Sequence, residues 1–454
     1  MAAKFEYTPP VNPDAPEDSL EHRSAHDVDL GTGRVDAERY YSKAFMQKEW
    51  EQLWTRVWLI AGPRSDLEEP GDYFTFDVGR ESIIVALGND NQVRAFYNVC
   101  PHRGNRLVLN EQGCAERFTC AFHSWSFDLD GKCASITDEE TFRPGVIEGR
   151  PNLKSVKVEE KAGLIFINMD ENAPPLAERF GLPDGYLEGY QLDKMKVVRH
   201  VVSEWGANWK TGVDAFYEVY HLHAVHPQTS TVMDDFGTQN DIYPHGFSRM
   251  IVPLAKKSPR VDDQASVDPG LAYMLGEAGL DPEVYDGDAS SVRKDIQAFK
   301  RKRADDLGLG WDGLVDGQLT DSWATGIFPN VQIGLHPEGA FLMRFMPHPT
   351  DPERFYYDTI TLYRPVDDES WKVPDWMGLP EGTDVSGDVR AERGFVPFGE
   401  APDLGLVLDQ DSELLPVVQK GIRSRAFEGP IWSEQELRLR HFHAELDLYM
   451  NGKK

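Results

Sequence analysis

Apolar and polar positions alternate through the first third of the chain. Tyr73-Phe74-Thr75-Phe76-Asp77-Val78 and the run Ser82 to Leu87 read as strands, and Gly88-Asn89-Asp90-Asn91 is a hairpin signal ahead of Val93-Arg94-Ala95-Phe96-Tyr97. Ser124 to Gly131 predicts another strand closed by an Asp-Gly turn, and Gly163 to Asn168 a buried one. Ahead of this block, Asp36 to Gly62 carries an aromatic-rich helical pattern through Phe45, Trp50, Leu53, Trp54 and Trp58. Beyond it, Leu192 to Trp205 is strand-like and Trp209 to His226 is helical. Val331 to Leu335, Ala340 to Met346 and Arg354 to Tyr363 predict three more strands. Ser433-Glu434-Gln435-Glu436 has the form of a capping box and opens a last helix through Tyr449. These periods imply an α+β chain in three parts: an N-terminal arm over 1–39, a strand-rich domain over 40–168, and a domain over 169–454 in which an antiparallel sheet wraps on helices. The last part is interrupted by a charged, Gly- and Asp-rich insertion over about 256–317, with one helix at Ser291 to Ala304, which reads equally as a lid or as a solvated excursion.

Two short pairs stand out inside the strand-rich domain, Cys100-Pro101-His102 and Cys120-Ala121-Phe122-His123. Each follows or precedes a predicted strand, so two hairpin tips can clasp one metal centre. Two thiolates on one iron and two neutral imidazoles on the other make a Rieske [2Fe-2S] cluster, whose nitrogen ligands raise its reduction potential and suit it to single-electron relay. A structural zinc site is the alternative for Cys₂His₂, although zinc fingers usually pair Cys with Cys and His with His along the chain, whereas here each arm carries one of each. Cys114 and Cys133 remain as a possible pair or, in a reducing cytosol, as free thiols.

Composition narrows the partners. With 454 residues and 40% hydrophobic content the chain can bury a sizeable core, and a formal charge of −29 repels nucleic acid and anionic membrane alike. No apolar stretch opens the chain and no window approaches a membrane span, so a cytoplasmic location is expected.

A second centre is suggested by Asn208 to Pro227, which concentrates His221, His223 and His226 with Asp214 and Glu218 in one amphipathic segment. Two imidazoles and a carboxylate on one face of a ferrous ion leave positions open for dioxygen and substrate. Five residues between His221 and His226 exceed one helical turn, so the helix must widen or end there, and Pro227 favours an ending.

Together, the two motifs in this order resemble the catalytic α subunits of the Rieske non-heme iron oxygenases, from about Tyr40 to Phe442. The resemblance implies a Rieske all-β domain and a helix-grip catalytic domain. It assigns Cys100, His102, Cys120 and His123 to the cluster, and His221 and His226 to a mononuclear Fe(II). Asp411 becomes the third ligand by its offset from the Gln419-Lys420-Gly421 stretch, with Asp409 as runner-up. Glu218, where many relatives carry Asp, becomes the bridge that passes electrons from a cluster histidine of one subunit to an iron-ligating histidine of the next. His223 fits no ligand position, Asp214 stands where many relatives have Asn, and Ser124 stands where Gly is common, its hydroxyl a possible donor to cluster sulfur. Val213, Phe216, Tyr217, Leu342 and Phe345 are the candidate substrate pocket, with core packing as their alternative. The implied activity is that of a terminal oxygenase fed by a ferredoxin or flavin reductase, activating O2 to hydroxylate an apolar aromatic or alicyclic substrate. O- or N-demethylation is the alternative, and a bare Rieske electron carrier or a zinc scaffold are the alternatives of other classes. The resemblance further implies a homotrimer, possibly with a β subunit. Arg103, Arg106, Arg117 and Lys132, beside the cluster loops, are expected to attract an acidic donor unless they serve internal ion pairs.

Overall fold

The computed structural model describes residues 8–10, 28–368, 371, 379–380 and 382–454. Most of the N-terminal arm therefore lies outside the described residues. Contacts divide the chain into two units: Gln47–Arg179 with Leu192–Lys194, and Met1–Met46 with Phe180–Gln191 and Met195–Lys454. No helix among the described residues is long and apolar enough to cross a membrane.

The chain enters through helix α1 (Lys43–Glu49). Ten strands then build the smaller unit: β1 (Leu59–Pro63), β2 (Asp72–Val78), β3 (Glu81–Leu87), β4 (Val93–Tyr97), β5 (Gln112–Cys114), β6 (Phe118–Thr119), β7 (Ser126–Phe127), β8 (Cys133–Ser135), β9 (Ser155–Lys161) and β10 (Leu164–Asn168). Seven form one sheet in the order β1-β10-β9-β4-β3-β2-β5, and β6-β7-β8 form a second of three strands. The predicted hairpin is present, Gly88 N–H donating to Gln92 O at 3.0 Å, with β3 and β4 in antiparallel register from Ile83–Tyr97 to Leu87–Val93. The predicted strand Ser124–Gly131 shortens to Ser126–Phe127 because its first residues are spent on a turn. Between the two sheets Phe96, Leu107, Phe118, Trp125 and Phe127 pack with Cys100 and Cys120 into one core.

The larger unit is built on β11 (Lys196–Trp205), β12 (Gln239–Ile242), β13 (Ser248–Val252), β14 (Ser322–Ile327), β15 (Val331–Leu335), β16 (Gly339–Pro347), β17 (Phe355–Tyr363) and β18 (Arg393–Val396). Their order is β12-β13-β14-β15-β16-β17-β11-β18, antiparallel throughout except for the parallel pair β11·β18. Its helices are α2 (Trp209–Phe216), α3 (Leu222–Val225), α4 (Pro269–Ala278), α5 (Ala289–Leu307), α6 (Leu406–Ile422) and α7 (Leu437–Met450). The helix α2 lies directly on β16 and β17. A Cβ at Gly212 would come within 2.7 Å of the Phe345 ring and 2.9 Å of the Phe355 ring, so only glycine permits this approach. The insertion is no loose excursion. Helices α4 and α5 share a small core of Leu271, Leu275, Val292 and Ile296, and α5 is fastened by Arg293–Asp321 (2.6 Å) and Lys300–Glu338 (2.6 Å).

Candidate metal centres

The cluster motif occupies two loops of the same construction. In the first, Cys100 N–H donates to Asn105 O (2.8 Å) and Gly104 N–H returns to Cys100 O (3.0 Å). In the second, Cys120 N–H donates to Trp125 O (2.8 Å) and Ser124 N–H to Cys120 O (2.9 Å). The fourth residue after each cysteine takes positive φ, +77° at Gly104 and +58° at Ser124, which is why a glycine suits this position. The two cysteines are about 1% exposed, and the imidazoles of His102 and His123 face each other with ring centroids 4.5 Å apart. Trp125 stacks on His102 at 4.6 Å and 9°, fixing that ring. His102 Nδ1 is buried with no hydrogen-bond partner, which a metal bond would supply. Burial, with the charges of His123 and Arg103, holds His102 below the usual histidine pKa and keeps it neutral. Burial opposes ionisation of Cys120, but hydrogen bonds from the backbone N–H groups of Phe122 and His123 and from the Cys100 and Asn105 side chains together bring that thiol below its usual value, while burial keeps the neighbouring Cys100 above it. These donors fit a two-thiolate, two-imidazole cluster.

The amide of Asn105, rather than the Ser124 hydroxyl, donates toward the Cys120 sulfur, its Nδ2 lying 3.8 Å from Sγ. Three of the four cations expected to attract a donor are held by neighbours: Arg106–Asp77 (3.8 Å), Arg117–Asp128 (2.7 Å) and Lys132–Asp130 (2.6 Å). Arg103 is exposed and lies over the Phe122 ring at 5.1 Å.

In the larger unit, His221, His226 and Asp411 come together with one donor atom each, all within 4.8 Å of one another. The helix read from Trp209 to His226 is interrupted. α2 ends at Phe216, residues 217–221 unwind, and Leu222–Val225 makes one further turn. Two anchors hold the break open: Tyr217 donates its hydroxyl to Val331 O (2.7 Å), and Glu218 Oε2 accepts the His221 N–H (3.1 Å), capping the next turn. Glu218 Oε1 also accepts from His221 Nδ1 at 2.5 Å. A carboxylate only accepts, so Nδ1 carries the proton and His221 turns the lone pair of Nε2 toward Asp411 Oδ1, 3.8 Å away. His226 Nδ1 meets Gln410 Oε1 at 2.8 Å, and its Nε2 lies 3.1 Å from Asp411 Oδ1. With the proton on Nδ1, neither atom of this last pair can donate. Two imidazole nitrogens and a carboxylate oxygen facing one another suit a cation between them, and the set fits a ferrous ion held by two histidines and a carboxylate. Burial disfavours the charged form of His221, but the hydrogen bond and charge of Glu218, with the charge of Asp411, raise its pKa above the usual value.

Asp409 points elsewhere, its Oδ1 accepting from Leu404 N–H (3.0 Å). Asp214 accepts from the Tyr40 hydroxyl (2.6 Å) and from His443 Nε2 (2.9 Å), and His223 is exposed beside Tyr220. Gln419, read in the sequence only as an offset marker, fastens α6, which carries Asp411, to the start of α2, which leads to the histidines. Its Oε1 accepts from Asn208 N–H (2.9 Å) at the N-cap of α2 and from Thr211 Oγ1 (3.2 Å), while its Nε2 donates to Tyr40 O (3.1 Å).

Of the pocket candidates, Val213, Tyr217, Leu342 and Phe345 are fully buried, and only Phe216 is half-buried. Leu342 and Phe345 are three residues apart on one strand, so they face opposite sides of the sheet, and Leu342 leaves the pocket set. Aromatic rings that the spacing did not group gather around Tyr357. Tyr357 touches Trp205 (4.5 Å between centroids), Phe216 (5.2 Å) and Phe345 (5.5 Å). Burial, and then the negative charge of Asp411, push the Tyr357 phenol well above its usual pKa, and its hydroxyl is buried with no partner among the described residues.

Family models of the Rieske [2Fe-2S] domain and of the ring-hydroxylating α subunit catalytic domain match residues 57–156 and 192–452. The chain belongs to the Rieske oxygenase α-subunit family. Its cofactors are accordingly a Rieske [2Fe-2S] cluster and a mononuclear iron. It is 35% identical over 239 residues to the carnitine monooxygenase oxygenase subunit of Acinetobacter baumannii, covering 49% of this chain and 62% of that one. It is 30% identical to the glycine betaine monooxygenase oxygenase subunit of Pseudomonas aeruginosa (42% of this chain, 44% of that one) and 32% identical to the biphenyl 2,3-dioxygenase α subunit of Rhodococcus jostii (43% of each). The chain thus matches between about two-fifths and three-fifths of the length of these curated relatives. Among solved structures, a quaternary ammonium Rieske monooxygenase in complex with L-carnitine superposes with a TM-score of 0.63 at 21% identity, covering 92% of this chain and 95% of that one. Naphthalene 1,2-dioxygenase with indole bound gives 0.63 at 19%, covering 93% and 94%. Both share the fold.

Proposed function

We propose that the chain is a terminal oxygenase that removes an alkyl group from a quaternary ammonium substrate, with His221, His226 and Asp411 holding the mononuclear iron. The carrying observation is the aromatic cluster of Trp205, Phe216, Phe345 and Tyr357 adjoining the anionic Asp411, because aromatic faces beside negative charge attract an alkylated ammonium by cation–π and Coulomb forces. The carnitine and glycine betaine relatives favour this demethylase alternative over the apolar arene expected first. Cys100, His102, Cys120 and His123 would hold the [2Fe-2S] cluster and His221, His226 and Asp411 the iron, and the loaded centres would supply single-electron transfer and O2 activation. The net change would take two electrons and two protons and put one oxygen atom into an N-methyl C–H bond and the other into water. The N-hydroxymethyl ammonium would then lose formaldehyde and a proton to leave the tertiary amine. The protein's share is orientation: Glu218 and Gln410 fix the two imidazoles, and Gln419 holds Asp411 on α6 against the helix that leads to them.

The reading includes a ferredoxin or flavin reductase as donor, meeting the exposed Arg103–Phe122 tip, and a homotrimer in which Glu218 links the cluster of one subunit to the iron of its neighbour. Coassembly of Cys100→Ala with His221→Ala chains then restores part of the activity that each lacks alone, and zero recovery in mixed trimers rejects that route. For the substrate, reduced holoenzyme is offered trimethylammonium compounds such as L-carnitine, γ-butyrobetaine and glycine betaine, their isosteres with a quaternary carbon in place of nitrogen, and naphthalene and biphenyl. Formaldehyde coupled to oxygen uptake with a trimethylammonium compound and not with its isostere is expected. Arene hydroxylation without any dealkylation would overturn the assignment.

A further inference from the structure

The two histidines of the triad are oriented by unlike partners. His221 donates to the carboxylate of Glu218, whereas His226 meets a neutral amide, Gln410 Oε1, at 2.8 Å. That amide oxygen accepts a second hydrogen bond, from Gln228 Nε2, also at 2.8 Å. Gln410 immediately precedes Asp411 on α6, and Gln228 lies two residues after His226 in the single-turn segment Pro227–Thr231.

The second bond determines what the first can do. A primary amide presents an oxygen that only accepts or an NH2 that only donates. If the Gln410 amide alone rotated by half a turn, its NH2 would face the NH2 of Gln228, two donors in opposition, and would also face His226 Nδ1, so rotation requires both amides to turn together. An Nδ1 receiving that hydrogen bond would have its proton driven to Nε2, the atom that faces Asp411 at 3.1 Å and has to be bare to ligate. Gln228 thus favours the amide orientation with oxygen inward, and the amide favours the tautomer.

We propose that Gln410 and Gln228 form a tautomer clamp on His226, Gln410 acting as a positioning residue for the metal ligand and Gln228 as the group that keeps the Gln410 oxygen turned inward. The clamp rests on the reading of His226 as an iron ligand. Neither glutamine is among the motif residues Glu218, His221 and His226, and the two are 182 residues apart in the chain.

The test measures Fe(II) affinity of purified holoenzyme by competition with a chelator, with cluster absorbance as the folding control. His226→Ala is made first. If it keeps the mononuclear iron, the ligand assignment itself fails, whatever the clamp does. Given that loss, Gln410→Leu is expected to weaken Fe(II) binding about 10- to 100-fold, as removal of a partner of a ligating histidine does. Gln410→Glu is expected to restore it, because either carboxylate oxygen accepts from Nδ1. Gln228→Ala is expected to weaken binding in the wild-type background, by less than Gln410→Leu, and to have no effect in the Gln410→Glu background, where no amide remains to rotate. A general loss of packing would move both backgrounds alike. Equal effects of Gln228→Ala in the two backgrounds, or wild-type affinity in Gln410→Leu, would overturn the clamp.

Discussion

Removing the Asn105 amide should lower the reduction potential of the cluster. Its Nδ2 stands 3.8 Å from the Cys120 sulfur, and it is held there by a second bond to Arg106 O at 2.6 Å. A donor aimed at a sulfur ligand stabilises the reduced cluster, which carries the extra negative charge, and so raises the potential. A net hydrogen bond is worth about 0.5–1.5 kcal/mol, and the 3.8 Å separation belongs at the weak end. For a one-electron couple about 59 mV corresponds to a tenfold change in equilibrium constant, so Asn105→Ala is expected to lower the midpoint by roughly 20 mV. Asn105→Asp removes the donor and adds negative charge, and is expected to lower it further. Electron paramagnetic resonance titration of the cluster at fixed ionic strength measures both. An unchanged or raised midpoint in Asn105→Ala would refute the assignment of this amide as the donor.

Asp411→Ala is expected to lose the mononuclear iron while keeping the cluster. Asp409→Ala is expected to keep both metals and cost about 1 kcal/mol, since it loses only the bond to Leu404 N–H at the start of α6; reversed metal contents would exchange the two roles. Gly212→Ala is expected to destabilise the larger unit by about 1–3 kcal/mol in denaturant unfolding, because its Cβ drives into the Phe345 and Phe355 rings; an unchanged midpoint would contradict that packing. Burial, and secondarily the charge of Lys300, push His336 down to about 3. The unfolded chain therefore takes up this proton first as pH falls: the buried imidazole costs nothing above about pH 6.5, and stability is lost progressively below it, by about 2 kcal/mol between pH 6.5 and 5. His336→Gln should flatten that part of the acid dependence, and an unaltered slope would rule it out.

What the sequence made legible follows physical range. The two cluster loops were readable because both ligands of each arm lie within four residues and the flanking strands alternate cleanly. The strands Val331–Leu335, β16 and β17 emerged close to their predicted bounds for the same reason. The break in the helix at Tyr217 was not readable from periodicity, since it depends on a bond to Val331 and on a carboxylate capping its own chain three residues on. Asp411, Gln410 and Gln419 act across 184 to 211 residues, and no local pattern reports such partners; the family offset supplied the first and missed the other two. The pairing of Leu342 with Phe345 in one pocket was avoidable, because an odd separation on a strand already places two side chains on opposite faces.

Electron transfer from the cluster to the His221–His226–Asp411 site carries the proposed function. It is tested most directly by single turnover: protein with its cluster reduced and no free reductant is mixed with O2 and a trimethylammonium substrate, while cluster absorbance and formaldehyde are followed together. The wild-type protein is expected to reoxidise its cluster faster with substrate than without and to release formaldehyde in step. His221→Ala is expected to keep its cluster reduced and to release none. Reoxidation of the His221→Ala cluster at the wild-type rate, with product formed, would contradict the account.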